Sequence, residues 1–183
     1  DPRRVFNFGA AAMDNLSRIS FLEKAALEVA LGFNLGNRNL LVTFHPVTLE
    51  NASASQQFSA LLQALEELED CHLIFTKPNA DTEGRIIGDM IDAFVAKHKE
   101  TAAAYTSLGQ VRYLSTMRFV DGVVGNSSSG LIEAPSFRIG TVNIGDRQKG
   151  RIKASSVIDC APDKASIQAA LQTLASTEFR QSL

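Results

Sequence analysis

Two short polar segments carry the strongest chemical signal in this chain. Residues 125–133 read Gly-Asn-Ser-Ser-Ser-Gly-Leu-Ile-Glu and lead from the apolar pair Val123 and Val124 into a helix-like run. Free N–H groups at the start of a helix, together with the helix dipole, attract anions. Residues 143–151 follow a second apolar run and contain Arg147, whose guanidinium can hold a phosphate through two parallel hydrogen bonds. The two segments together predict a site for a phosphate ester.

The polar residues of the first segment have two interpretations. Ser127, Ser128 and Ser129 could be ordinary turn and N-cap residues, but three consecutive hydroxyls between glycines favour an anion site. The segment lacks the Gly-x-Ser-x-Gly pattern, so we do not expect a triad nucleophile. Glu133 either complements the helix dipole or accepts hydrogen bonds from sugar hydroxyls.

His45 is a candidate catalytic group outside these segments. It ends a predicted strand and precedes Pro46, which holds it in an extended conformation. It either caps the strand through a structural hydrogen bond or acts on a ligand, and its spacing leaves both interpretations open. Of the other histidines, His72 is expected to pack at a strand edge and His98, between two lysines, to face solvent.

Apolar runs alternate with helix-periodic segments along the chain, and Ser53 and Gln56 form a capping-box spacing before one of them. Uniformly apolar strands separated by amphipathic helices indicate an α/β fold, with a mainly parallel sheet covered by helices on both faces. Strands are predicted near residues 40–44, 73–76, 105–108, 123–124, 141–144 and 157–158, and helices near 53–68, 86–95, 115–119, 131–137 and 163–175.

The candidate residues converge on one edge of this sheet. In parallel sheets, ligands bind beyond the carboxyl ends of the strands. His45, Lys77, residues 126–130 and residues 145–147 each follow a predicted strand end. This convergence supports a binding site more strongly than any single motif does.

A further helix is predicted before the first strand, because Ser20 and Glu23 repeat the capping-box spacing. Residues 4–9 look extended and could be a linker from a preceding domain. The chain begins with Asp1 rather than methionine, so we expect it to be a piece of a longer protein. The apolar side of the helix is predicted to comprise Phe21, Leu22, Ala25, Ala26 and Val29.

Composition restricts the kinds of function that this chain can have. Its 183 residues, 45% of them hydrophobic, suffice for one well-packed domain. A net charge of −2 argues against a general affinity for nucleic acid or anionic membranes, and residues 147–153 could simply be a solvated basic loop. Cys71 and Cys160 are far apart in sequence, form no metal-binding pair and are expected to be buried and reduced. With only three histidines, few ligands are available for a metal ion, and we expect no metal site. No run approaches the length of a membrane span.

Three separated segments closely resemble the hydrolysing UDP-N-acetylglucosamine 2-epimerases. They are Thr-Phe-His-Pro-Val-Thr at 43–48, the serine segment with Glu133, and Val-Asn-Ile-Gly-Asp-Arg-Gln-Lys-Gly-Arg at 142–151. Residues 5–10 and 14–16 resemble the crossover between the two domains of those enzymes. The resemblance implies that 1–15 form this crossover and that 16–183 form the C-terminal, UDP-binding, Rossmann-like domain of a glycosyltransferase-B-like architecture, without the N-terminal catalytic-acid domain.

The resemblance also implies a reaction. UDP is eliminated from UDP-N-acetylglucosamine, and water adds to the glycal to give N-acetylmannosamine, a step toward sialic-acid-type sugars. Ser127, Ser128 and Arg147 would bind the diphosphate, Glu133 would bind the ribose, and His45 would stabilise the departing UDP. Uracil would contact the backbone at Arg112, Tyr113 and Leu114, and the supporting loop would comprise Asn126, Ser129 and Gly130.

The same resemblance implies UDP and UDP-N-acetylhexosamine as ligands, the N-terminal domain as a partner, homo-oligomers as a possibility, no cofactor, and a cytoplasmic location. In the family, the carboxylates that move protons at the sugar belong to the N-terminal domain. We therefore predict that the isolated chain binds UDP weakly and is inactive.

Other interpretations stay open at this stage. Non-hydrolysing epimerases tend to carry an Asp-Ser-Gly-Gly loop, so the serine segment here favours the hydrolysing branch. A glycosyltransferase with the same nucleotide-binding architecture, or a nucleotide-sugar sensor without catalysis, would share the fold.

Overall fold

The computed structural model describes residues 2–4, 6, 16, 18–47, 54–79 and 81–183. Of the predicted crossover at 1–15, only the 3-10 turn Pro2–Arg4 and Phe6 are described; the rest of that segment, Thr48 and the Ser53 cap lie outside the described residues. The strands are β1 (Arg38–Thr43), β2 (Cys71–Thr76), β3 (Ala102–Tyr105), β4 (Gly122–Gly125), β5 (Gly140–Ile144) and β6 (Val157–Cys160). The helices are α1 (Lys24–Leu31), α2 (Ala54–Glu66), α3 (Thr82–Lys97), α4 (Gly109–Met117), α5 (Ser129–Ile132), α6 (Lys164–Ala175) and α7 (Thr177–Gln181).

The strands form one sheet in the order β3-β2-β1-β4-β5-β6, and all five neighbouring pairs are parallel. Leu41 of β1 lies opposite Ile74 on one side and Val123 on the other. The strand order reverses between β1 and β4, and such a reversal opens a crevice at the carboxyl edge of the sheet. The predicted parallel α/β sheet is confirmed.

Successive residues of β1 face two separate apolar cores, which confirms helices on both faces. Leu40 and Val42 pack with residues of α2, α3 and α6. Leu41 packs with residues of α1 and α4 on the opposite face. Because a strand points alternate side chains to opposite faces, a run that is apolar throughout must be covered on both sides.

The helix before β1 differs from its prediction. It begins at Lys24, and Glu23 precedes it without a side-chain cap, so the predicted Ser20 cap is wrong. Its buried residues are Leu27 and Leu31, whereas Val29, on the predicted apolar side, is 84% exposed. The sequence offers two apolar stripes, and packing against α4 selects the one spaced by four residues.

Four other elements also differ from their predicted positions. β3 lies at Ala102–Tyr105 rather than 105–108, because its three alanines and Tyr105 pair with Leu73–Thr76. α4 begins at Gly109, six residues before the predicted start. The predicted helix over 131–137 divides into α5 and a 3-10 turn at Ala134–Phe137, where Pro135 lacks an N–H donor. α7 was not predicted.

The cysteines and remaining histidines are placed as follows. Cys71 is buried as predicted, whereas Cys160 is half-buried at the end of β6, and both are free thiols. His72 packs as expected and contacts the Asn34 carbonyl at 2.9 Å. His98 stacks on Phe94 with the ring centroids 4.4 Å apart, so it is less open to solvent than its lysine neighbours suggested.

Candidate functional site

Three neighbouring strands end side by side at the carboxyl edge. Gly125, the last residue of β4, has a φ of 135°, and a Cβ there would lie 1.9 Å from the carbonyl oxygen of Thr43 in β1. Asn126 then donates its backbone N–H to the same oxygen at 3.2 Å. Only glycine permits this close approach, so the serine segment starts directly against the end of β1.

The side chain of Asn126 holds the residue that follows β1. Its Oδ1 accepts from the His45 N–H at 2.7 Å, and its Nδ2 donates to the His45 carbonyl at 2.8 Å. These two bonds continue the link between β1 and β4 beyond the last strand residues. Asn126 is 1% exposed, so both bonds are shielded from water and fix His45 beside the serine segment.

The backbone carbonyl of Asn126 holds the loop that follows β5. It accepts from Gln148 Nε2 at 2.7 Å and from Arg147 Nη1 at 3.1 Å. Gln148 is 1% exposed, although Arg147 and Lys149 beside it are exposed. Asn126 therefore joins the loops after β1, β4 and β5, and brings His45, the serines and Arg147 together as the sequence predicts. Gln148 was not predicted as a site residue, because nothing in a basic loop signals a buried amide.

Positive charge is concentrated where these loops meet. Although Arg147 is exposed as a residue, partial burial of its guanidinium, and then the charge of Arg151, lowers its pKa. Burial, and then the charge of Arg147, lowers the pKa of His45. The charge of Asp81 raises this pKa, but by less. Like charges held close together disfavour their own ionised forms, and a bound anion would relieve this repulsion. The geometry can therefore hold a phosphate, with His45 neutral near pH 7.

The three serines lie at the start of α5, as predicted, but the helix is only one turn long. Ser128 precedes it without a side-chain cap, and the N–H groups of Gly130 and Leu131 already bond to Ser127 and Ser128 carbonyls. The predicted helix dipole is correspondingly small, because it sums over few peptide units. Serine hydroxyls and Arg147 would have to supply most of the attraction for an anion.

Glu133 follows α5 directly and has an unfulfilled acceptor. Burial raises the pKa of its carboxyl more strongly than its own backbone N–H and the nearby Ser129 hydroxyl lower it. Its Oε2 atom is buried and has no hydrogen-bond partner among the described residues. A carboxylate in this state can accept a hydrogen bond from a ligand hydroxyl.

A cavity of 340 Å³, which we call the hydroxyl cavity, opens beside these residues. Seven of the ten residues that line it carry a hydroxyl. They come from the ends of β1 and β2, from the loops after β3 and β4, and from α4 and α5. Such a surface suits a ligand with several hydrogen-bonding groups. The lining residues are Thr43, Thr76, Thr106, Ser107, Leu108, Gly109, Gln110, Tyr113, Ser127 and Ser129.

The predicted uracil-contacting residues separate into three environments. Tyr113 lines the hydroxyl cavity, whereas Leu114 is buried in the core beneath the sheet. Arg112 donates its guanidinium to the Leu108 carbonyl at 2.8 Å and so braces the loop before α4. All three lie within α4, where backbone groups bond to one another, and residues 106–109, before and at the start of α4, also line the cavity. The uracil contact itself stays a prediction.

A second cavity, of 850 Å³, lies beyond Arg147 along the same edge; we call it the β5–β6 cavity. Both of its lysines pair within it, Lys153 with Asp159 at 2.7 Å and Lys149 with Asp146 at 3.3 Å, and Arg151 also lines it. Lys77, which sequence analysis placed near the site, pairs with Asp92 of α3 at 2.7 Å. The β5–β6 cavity is lined by Gln57, Gly145, Asp146, Lys149, Gly150, Arg151, Lys153, Asp159, Cys160, Ala161 and Pro162.

Within the described ranges, no three His, Cys, Asp or Glu side chains come close enough together to hold a metal ion. None of the helices in the described part of the chain is long and apolar enough to cross a membrane.

Comparison with known proteins extends these observations. Over 181 residues, the chain is 38% identical to the GDP/UDP-N,N'-diacetylbacillosamine 2-epimerase (hydrolyzing) of Campylobacter jejuni. This alignment covers 99% of this chain and 47% of that protein. Over 167 residues it is 39% identical to the polysialic acid biosynthesis protein P7 of Escherichia coli, covering 91% of this chain and 42% of that protein. The chain therefore spans about half the length of the curated relatives it matches.

Solved structures give the same fold. The UDP-GlcNAc 2-epimerase of Methanocaldococcus jannaschii, solved in complex with UDP-GlcNAc and UDP, superposes with a TM-score of 0.72 at 14% identity, over 98% of this chain and 50% of that one. The family model described as UDP-N-acetylglucosamine 2-epimerase matches residues 1–182. With the sheet, the strand-end loops and the relatives in agreement, the chain belongs to the UDP-N-acetylglucosamine 2-epimerase family.

Proposed function

We propose that this chain is the UDP-binding half of a hydrolysing UDP-N-acetylglucosamine 2-epimerase. The observation that carries the proposal is the Asn126 junction, which brings His45, the serine segment and Arg147 to one point of the sheet edge. Relatives whose names include "hydrolyzing" support the branch. The solved relative that contains UDP supports the ligand.

In this proposal each side chain has one task. The hydroxyls of Ser127 and Ser128 and the guanidinium of Arg147 bind the diphosphate, and the buried Oε2 of Glu133 accepts from a ribose hydroxyl. Asn126, Ser129 and Gly130 hold the loop in shape. The hydroxyl cavity receives the nucleoside, with uracil near Tyr113 and the loop before α4.

The reaction breaks the bond between C1 of the sugar and the β-phosphate oxygen. Loss of the C2 proton accompanies this break and leaves the glycal, and water then adds hydroxyl to C1 and a proton to C2 from the opposite face. The negative charge that develops on the departing diphosphate is stabilised by Arg147 and by His45, which can become protonated as the charge grows. The groups that move the C2 proton are assigned to the N-terminal half, so the isolated chain is inactive. The sugar is N-acetylglucosamine or its diacetamido derivative, and the parent enzyme acts in the cytoplasm.

A UDP titration by calorimetry tests the proposal. Arg147→Ala removes a charge-assisted contact worth roughly 1.5–3 kcal/mol, so UDP affinity should fall about 10- to 100-fold. Lys149→Ala is the matched control, because Lys149 is an exposed cation two residues away that pairs with Asp146. It should change UDP affinity less than about threefold.

Equal losses in both variants would show that net charge, and not a site at Arg147, attracts UDP. Absence of saturable UDP binding by the unchanged chain would contradict the proposal itself. Product analysis with the complete enzyme tests the branch: free N-acetylmannosamine, or its diacetamido counterpart, is expected, and a UDP-linked product or transfer to an acceptor would contradict it.

A further inference from the structure

The residues that line the hydroxyl cavity follow the order of the strands in the sheet. Ser127 and Ser129 come after β4, Thr43 ends β1, Thr76 ends β2, and residues 106–110 come after β3. Neighbouring strands lie about 4.8 Å apart, so three spacings separate the serines from the loop after β3 by roughly 14 Å. An extended nucleoside diphosphate has a comparable length. A ligand with its phosphates at the serines therefore directs its base toward residues 106–110.

The loop at this end of the cavity is fixed from within the protein. Arg112 Nε donates to the Leu108 carbonyl at 2.8 Å, and Arg112 Nη2 donates to the Ser107 carbonyl at 3.3 Å. The Gly109 N–H donates to Ser107 Oγ at 3.2 Å, and Gly109 has a φ of 61°. Two backbone carbonyls and one hydroxyl of the cavity wall therefore already accept hydrogen bonds from the protein.

Gln110 differs from the other residues that line the cavity. It is the second residue of α4 and carries the only side-chain amide among the lining residues. This amide makes no hydrogen bond within the described part of the chain. A carboxamide presents an N–H donor and a carbonyl acceptor side by side. Uracil presents the matching pattern, because its N3–H lies between two carbonyl oxygens.

We propose that Gln110 is the residue that determines base specificity, accepting from N3–H of uracil and donating to one of the adjacent uracil oxygens. This inference rests on the proposed function and adds the side chain that recognises the base. Arg112 contributes only from behind, by holding the loop before α4. Gln110 is exposed in the free protein, so ordering its side chain offsets part of the free energy gained from the two bonds.

Gln110→Ala tests the inference by calorimetry with two probes, UDP and 3-methyl-UDP, in which a methyl group replaces the N3 hydrogen. The unchanged chain should bind UDP about 5- to 20-fold more tightly than 3-methyl-UDP, in the range of one bidentate amide–base pair. In Gln110→Ala this preference should fall to about twofold or less, because the acceptor for N3–H is gone. Gln172→Ala is the matched control: Gln172 is an exposed glutamine of α6 that lines neither cavity, and the preference should not change.

Gln110→Glu separates the two bonds. A carboxylate only accepts, so it keeps the bond from N3–H and loses the bond to the uracil oxygen. The preference for UDP over 3-methyl-UDP should therefore remain, while UDP affinity falls about fivefold or more. Gln172→Glu adds the same charge away from the cavity and should change UDP affinity less than about twofold.

The remaining outcomes contradict the inference at different levels. An unchanged preference in Gln110→Ala would overturn it and show that N3–H bonds elsewhere. Equal binding of the two probes by the unchanged chain would overturn it as well, while leaving UDP binding intact. Absence of any UDP binding would overturn the proposed function together with this inference. Thermal unfolding of each variant checks that the fold is retained.

Discussion

The two cavities at the carboxyl edge of the sheet differ in how their polar groups are used. The β5–β6 cavity is larger, at 850 Å³, but its lysines pair with neighbouring aspartates. The hydroxyl cavity is smaller, at 340 Å³, and Glu133, one helical turn beyond its lining residue Ser129, has a buried carboxylate oxygen without a described partner. Both lie on the same sheet and open at the same edge.

We therefore rank available hydrogen-bonding groups above volume as the criterion for the candidate binding site. Exposed ion pairs contribute little to stability and attract little once they neutralise each other. A buried acceptor without a partner costs free energy in the folded state, and a ligand that supplies a donor recovers it. The hydroxyl cavity, next to the Asn126 junction, is therefore the better candidate for nucleotide binding.

The largest effect is expected from a methyl group at Gly125. Gly125→Ala would place Cβ 1.9 Å from the Thr43 carbonyl oxygen, at a φ of 135° that side chains rarely adopt. Separating β1 from β4 should reduce the free energy of unfolding by about 3 kcal/mol or more. Gly150→Ala, in the β5–β6 cavity, is the control: Gly150 has a φ of 80° but open space around it, and should lose only about 1 kcal/mol. Urea unfolding measures both, and similar losses would contradict the importance of this close approach.

A smaller effect is expected at Gln148. Gln148→Met keeps the length of the side chain but removes the donor to the Asn126 carbonyl, which should reduce the free energy of unfolding by about 1–2 kcal/mol and weaken UDP binding several-fold. Lys149→Met, on the exposed neighbour, should change both by less than about 0.5 kcal/mol. If the two variants behave alike in unfolding and in UDP titration, the Asn126 junction does not hold the Arg147 loop.

The smallest effect concerns the pH dependence at His45. Burial and Arg147 lower its pKa in the folded state, so the unfolded chain binds more protons below about pH 6.5 and stability falls as the pH decreases through this range. A bound diphosphate should raise that pKa, so UDP binding should take up a fraction of a proton. Calorimetry in buffers of different ionisation enthalpy measures this uptake. His45→Gln should abolish the part due to the histidine and leave the part due to UDP itself, and an unchanged uptake would place His45 away from the phosphates.

Sequence patterns located most of the fold because the strands are short apolar runs, and helices must cover such strands on both faces of the sheet. They were less accurate where the signal was weak. The alanines of β3 resemble neither a strand nor a loop, and only pairing with β2 places them in the sheet. Val29 and Leu27 are equally plausible core residues by type, and only packing against α4 buries Leu27 and leaves Val29 exposed.

By itself, the sequence determined the parallel α/β class and the candidate positions of His45, the serine segment and Arg147, because these depend on local patterns and on the general rule that strand ends form sites. The tertiary structure decided how they are joined. Asn126 becomes a junction only when β1, β4 and β5 are neighbours, and Gln148 becomes a buried donor only when its loop folds onto the Asn126 carbonyl. The Thr43–Thr76 and Tyr113–Ser129 hydrogen bonds likewise join residues of separate elements, and hydrogen bonds between distant parts of a chain leave no periodic trace in its sequence.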